Sequence, residues 1–109
     1  MTVQLSSPIA AYFKASNAAA PEAVAAAFAP GGEVRDERET HRGREAITAW
    51  ARDTIERYRM RSEPLETTRT ENGHTVKARV TGDFPGSPLT FTYRFTLTGD
   101  AIKALEIGL

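Results

Sequence analysis

The sequence predicts an α+β fold in which three N-terminal helices pack on a curved, mostly antiparallel sheet. Three observations carry this prediction. Apolar residues recur at helical spacing up to Tyr58 and at a period of two after it. Short alternating segments in the second half are separated by turn signals at Asn72-Gly73, Pro85-Gly86 and Thr98-Gly99-Asp100, which implies consecutive hairpins. Each strand has one apolar face, so the sheet needs a single covering layer of helices.

Pro8 suits the first turn of a helix. Ile9, Tyr12, Phe13 and Ser16 follow at helical spacing, which turns Tyr12 and Phe13 inward. Pro21 opens a second helix, with Glu22 in its first turn and Val24, Ala27 and Phe28 on its apolar face. Pro30-Gly31-Gly32 stops it. A short strand follows at residues 33–37, then a charged loop from Arg38 to Arg42. Gly43 precedes a third helix, whose stripe is Ile47, Trp50, Ala51, Thr54, Ile55 and Tyr58. Met60 to Thr70 reads as a long polar strand, bent or bulged around Pro64. The next strand places Val76, Ala78 and Val80 on one face. A further strand alternates Leu89, Phe91, Tyr93, Phe95 and Leu97 with Thr90, Thr92, Arg94 and Thr96. Ile102 to Leu109 closes the chain as a last strand. The sheet is then expected to bury Phe91, Tyr93 and Phe95 against Ile47, Trp50 and Ile55.

Length and composition narrow the function classes. The chain has 109 residues, the size of one domain, 1–109. Fourteen basic and fourteen acidic residues balance, which argues against a nucleic-acid partner. No segment has the length and apolarity of a membrane span, and Met1 to Ser7 lack the pattern of a signal peptide. Cysteine is absent, so disulfides, thiol chemistry and cysteine-ligated metals are excluded, in keeping with a cytoplasmic protein. His41 and His74 are far apart and lack acidic neighbours at ligand spacing. They are expected to be solvated, with no metal site and no cofactor.

Asp36 is the chief candidate for chemistry. Alternation places it on the same face as Val34, the large apolar residue of its strand. A carboxylate aimed inward must be paired, hydrogen-bonded or protonated. Two readings follow: a general base of raised pKa, or a carboxylate paired with Arg94, Arg44 or backbone donors near Gly43. Glu37 is expected to face solvent. Trp50 and Tyr58 are expected in the core, with Trp50 also a candidate cavity wall.

Phe28, Val34, Asp36, Gly43, Glu45, Ile47 and Trp50, in this order and in a helix–helix–strand–helix–meander chain, resemble the nuclear transport factor 2-like cone fold. Its bacterial members include ketosteroid isomerase, scytalone dehydratase and the SnoaL-like cyclases. The resemblance implies a cone-shaped sheet. It also implies that Asp36 falls where steroid isomerases place the carboxylate that moves a proton between carbons. Tyr12 falls where they place a phenol that donates to the developing enolate oxygen. Tyr93 falls near the position of their second, acidic donor. The resemblance implies a homodimer as well, and the outer face of Thr90, Thr92, Arg94 and Thr96, with few charges, offers the surface.

The expected function is that of a small-molecule-binding protein. Its cavity is lined by Tyr12, Trp50, Phe91 and Tyr93, with Asp36 at the polar end, and takes a small apolar or carbonyl-containing ligand. One alternative is a cofactor-free isomerase, cyclase or dehydratase using Asp36 as general base with Tyr12. Another is an accessory homodimer whose cone is filled by side chains.

Overall fold

The computed structural model describes residues 4–109, so the part of the signal-peptide expectation that falls on residues 1–3 lies outside it. The elements are α1 (Ser7–Asn17), α2 (Pro21–Ala26), β1 (Phe28–Asp36), β2 (Glu39–Arg42), α3 (Arg44–Tyr58), β3 (Arg61–Arg69), β4 (Gly73–Thr81), β5 (Leu89–Thr98) and β6 (Ala101–Gly108). The six strands form one open sheet in the order β2-β1-β6-β5-β4-β3. The three helices cover its inner face, which is the expected α+β cone.

The C-terminal half follows the alternation closely. Val76, Ala78, Val80, Tyr93 and Phe95 are buried, while Lys77, Arg79 and Arg94 are exposed. β3 carries its register shift between Pro64 and Glu66, because proline cannot donate to the ladder. Pro85-Gly86 forms the turn read from sequence: Gly86 has a φ of 85° and the Ser87 N–H donates to the Phe84 carbonyl at 3.2 Å.

Gly73 does mark the β3–β4 hairpin, but for a different reason. Its φ is not in the left-handed region, so no Asn-Gly turn of the primed type forms there. Instead a Cβ on Gly73 would lie 1.9 Å from the Phe95 carbonyl oxygen. The missing side chain lets β4 and β5 close together.

Three expectations are corrected. Phe28 does not belong to the second helix. α2 ends at Ala26, and Phe28 opens β1, paired with Ile102 of β6. Pro30-Gly31-Gly32 is an irregularity inside β1, with Gly31 at a φ of 76°. Residues 38–42 are not simply a loop, since β2 runs through Glu39–Arg42 and pairs antiparallel with β1. The connection is the two-residue turn Glu37-Arg38, with φ values of 52° and 66°. Both residues sit where glycine or asparagine is usual, so the turn had no sequence signature. Finally, β1 and β6 pair parallel, and this pairing joins the β1–β2 hairpin to the antiparallel β6-β5-β4-β3 meander.

The core lies between α1, α3 and the inner face of the sheet. Ile9, Val34, Ile47, Ile102 and Leu105 are essentially fully buried, and each contributes about 1.5–3 kcal/mol by leaving water. Asn17, at the end of α1, clamps that helix to β3. Its side-chain amide donates to the Ser62 carbonyl at 2.8 Å and accepts from the Ser62 N–H at 2.8 Å.

Candidate functional site

α1, α3 and the inner faces of β1, β4, β5 and β6 enclose a cavity of about 290 Å³. That is close to the lower end of the roughly 300–1,000 Å³ range of small-molecule sites. The structure brings Tyr12, Asp36, Trp50, Phe91 and Tyr93 around this one space. α1 delivers Tyr12, the end of β1 delivers Asp36, the α3 stripe delivers Trp50, and alternation along β5 delivers Phe91 and Tyr93.

Asp36 is half-buried at the last position of β1. The Trp50 indole N–H donates to its Oδ2 at 3.1 Å. Asp36 makes no ion pair among the described residues, and neither Arg94 nor Arg44 is its partner. Both arginines are exposed. Burial raises the Asp36 pKa above the ordinary carboxylate value. The Trp50 hydrogen bond partly opposes this, the Glu37 charge adds to it, and the Glu37 backbone N–H and the nearby His41 oppose it.

Tyr12 is 4% exposed, and its hydroxyl has no hydrogen-bond partner among the described residues. Burial, then Tyr93, then the Asp36 charge hold its pKa well above the usual phenol value. Tyr93 is pushed up to about 12, mainly by burial, with the Ser62 hydroxyl opposing and the Asp36 charge adding. Both phenols are therefore neutral donors near neutral pH, and both feel the Asp36 carboxylate. Their rings lie 6.2 Å apart.

The mouth of the cavity contains residues that the sequence did not assign to the site. Tyr58 sits half-buried at the rim rather than in the core, and its hydroxyl donates to Glu37 Oε1 at 2.7 Å. Arg57 lies 3.7 Å from the other Glu37 oxygen. Glu37 is exposed as expected, but it lines the opening instead of facing away. Phe84, read only as part of a turn, packs edge-on against Tyr58 and Phe91, at 6.2 and 6.1 Å between ring centres. The Phe84–Ser87 turn thereby closes one side of the cavity. Its aromatic residue beside Pro-Gly is the one signal that pointed to such a role.

Contrary to expectation, the histidines are not freely solvated, since both are half-buried on strands. His41 stands on β2 opposite Val34, with its ring 6.2 Å from Trp50. His74 stands on β4 opposite Phe95, and its Nδ1 is buried. Neither lines the cavity. Among the described residues no group of three or more His, Asp or Glu could hold a metal ion, and no helix is long and apolar enough to cross a membrane.

Comparisons with known proteins agree with this architecture. A family model described as a SnoaL-like domain matches residues 9–104. A solved structure of a proposed polyketide cyclase from Sinorhizobium meliloti is 38% identical, with a TM-score of 0.87 over 92% of each chain. A protein with a ketosteroid isomerase-like fold from Catenulispora acidiphila, solved in complex with trimethylamine, is 20% identical. Its TM-score is 0.85, over 97% of this chain and 87% of that one. A proposed SnoaL-like polyketide cyclase from a Jannaschia species is 18% identical, with a TM-score of 0.76 over 92% of this chain and 81% of that one. No curated protein matches.

Proposed function

The chain belongs to the SnoaL-like domain family, and from that premise we propose that it binds a small, largely apolar molecule inside its cone. One observation carries this reading. The cavity has aromatic walls and a half-buried carboxylate at one end, and that carboxylate is held by neutral N–H donors with no ion pair among the described residues. A side chain whose purpose was packing alone would be apolar here, because burying a carboxylate without a countercharge costs free energy. Trp50 is the only tryptophan and lines the cavity, so it reports occupancy directly. Titration of the full chain with a panel of small cyclic ketones, alcohols and amines should change Trp50 fluorescence saturably for at least one of them. A Ser16→Phe substitution, which adds bulk to the lining without adding a second tryptophan, should abolish that response. A response that survives the filling substitution would place binding elsewhere and sink the proposal.

A second reading, that the bound molecule is turned over, is favoured by Asp36 and Tyr12 together. Asp36 has a raised pKa and one oxygen, Oδ1, free of the Trp50 bond. Tyr12 has a neutral, unpartnered hydroxyl in the same cavity. With a carbonyl compound bound, the carboxylate takes a proton from the carbon beside the carbonyl. The electron pair moves onto the oxygen, which accepts a hydrogen bond from Tyr12, and the proton returns at another carbon. A positioned base contributes about 10²–10⁴-fold. Asp36→Asn should therefore remove most turnover of an enolisable ketone while leaving the ketone's affinity in place, and Tyr12→Phe should cost less. An Asp36→Asn variant with undiminished kcat would refute this mechanism and leave the binding reading standing.

A further inference from the structure

Building on the reading of the cavity as a ligand site, we propose that its ligand is a small organic cation. A tertiary or quaternary ammonium group would lie among the aromatic walls with its charge toward Asp36. The lining contains two carboxylates, Asp36 and Glu37, and among the described residues no lysine, arginine or histidine. The two acids are not equivalent. Glu37 already accepts a hydrogen bond from Tyr58 and has Arg57 at 3.7 Å. Asp36 has two neutral donors, the Trp50 indole N–H and the Glu37 backbone N–H, and no ion pair among the described residues. A carboxylate partly removed from water and lacking a countercharge attracts a cation more strongly than the same group in solvent.

The walls point to the same ligand. Faces of aromatic rings carry negative partial charge and attract ammonium groups within about 6 Å of the ring centre. Six of the fifteen lining residues are aromatic. Tyr12, 4% exposed and without a hydrogen-bond partner for its hydroxyl among the described residues, also offers an oxygen that can accept from a protonated amine. An anionic ligand would meet Asp36 as a like charge, with neutral donors alone to offset it. A purely apolar ligand would leave that carboxylate as costly as it is in the empty cavity.

Choline and its neutral isostere 3,3-dimethylbutan-1-ol have nearly the same shape and differ by one charge. Each is titrated into the full chain at neutral pH while Trp50 fluorescence is followed. Choline should bind at least about tenfold more tightly. In Asp36→Asn the preference should fall below about twofold, with the alcohol's affinity retained. The wild-type comparison stands by itself should that variant fail to fold. Binding of the alcohol as tight as that of choline, or a preference undiminished in Asp36→Asn, overturns the cation assignment while leaving the small-molecule reading intact. Binding of neither compound removes the cation assignment, and no response across the whole ketone, alcohol and amine panel removes both.

Discussion

Asp36 should weaken the fold that holds it. Its folded pKa lies above the ordinary 3.8, so the folded state binds its proton more tightly than the unfolded chain does. Stability from this group is then highest below the unfolded pKa and falls as pH rises through the folded value. Asp36→Asn should melt at a higher temperature than wild type at pH 7, and the gap should close as pH drops below about 4. A lower melting temperature for the variant at pH 7 would contradict this. Trp50→Phe removes the donor that partly opposes the shift, so carbon-13 NMR of the Asp36 carboxyl should show its titration moving to higher pH. An unmoved or lowered titration would mean that the indole bond does not act on the carboxylate. The direction in which Asp36 faces was legible from alternation with Val34. Its partner was not, because Trp50 lies 14 positions away on another element and the sequence gives no hint of indole geometry. Tyr58 was misplaced for a related reason: helical spacing says which stripe a residue occupies, but not where along the cone that stripe emerges.

At the scale of elements, the β1–β2 hairpin carries part of the backbone cost, and the β4 start depends on a close approach of strands. Glu37 and Arg38 adopt left-handed conformations that disfavour side chains by about 1–2 kcal/mol each. Arg38 is exposed and lies outside the cavity lining, so Arg38→Gly should stabilise the protein by roughly 1 kcal/mol in urea unfolding. Destabilisation would show that the arginine side chain makes up for its backbone. Gly73→Ala should act in the other direction. Its Cβ would overlap the Phe95 carbonyl oxygen, and strand separation should cost at least about 2 kcal/mol. Strands β3 to β6 were legible because period-two alternation and turn residues agreed there. β2 was not, since Glu39–Arg42 is short and polar and its turn lacks glycine or asparagine. Phe28 was assigned to a helix because one apolar residue at helical spacing cannot reveal that the chain has already extended.

Across the whole molecule, the helical cover and curved sheet were legible from the period change, whereas the parallel pairing of β1 with β6 was not. That contact joins residues far apart in sequence, and no local pattern encodes it. The outer face of β5 carries Thr90, Thr92, Arg94 and Thr96, and we propose that it pairs two copies of the chain. Light scattering at micromolar concentration should give twice the 11.9 kDa chain mass, and Arg94→Glu should shift it toward the monomer. A stable monomer would reject the pairing without touching the cavity. The central claim, that a small molecule occupies the cone beside Asp36, is tested most directly by NMR. The aromatic and Asp36 carboxyl resonances would be followed while a panel of small neutral and cationic compounds is added. The account predicts saturable shifts at Tyr12, Asp36, Trp50, Phe91 and Tyr93 together, with the outer sheet face unmoved. Saturable shifts confined to the outer face, or none in the cavity for any compound, would contradict it.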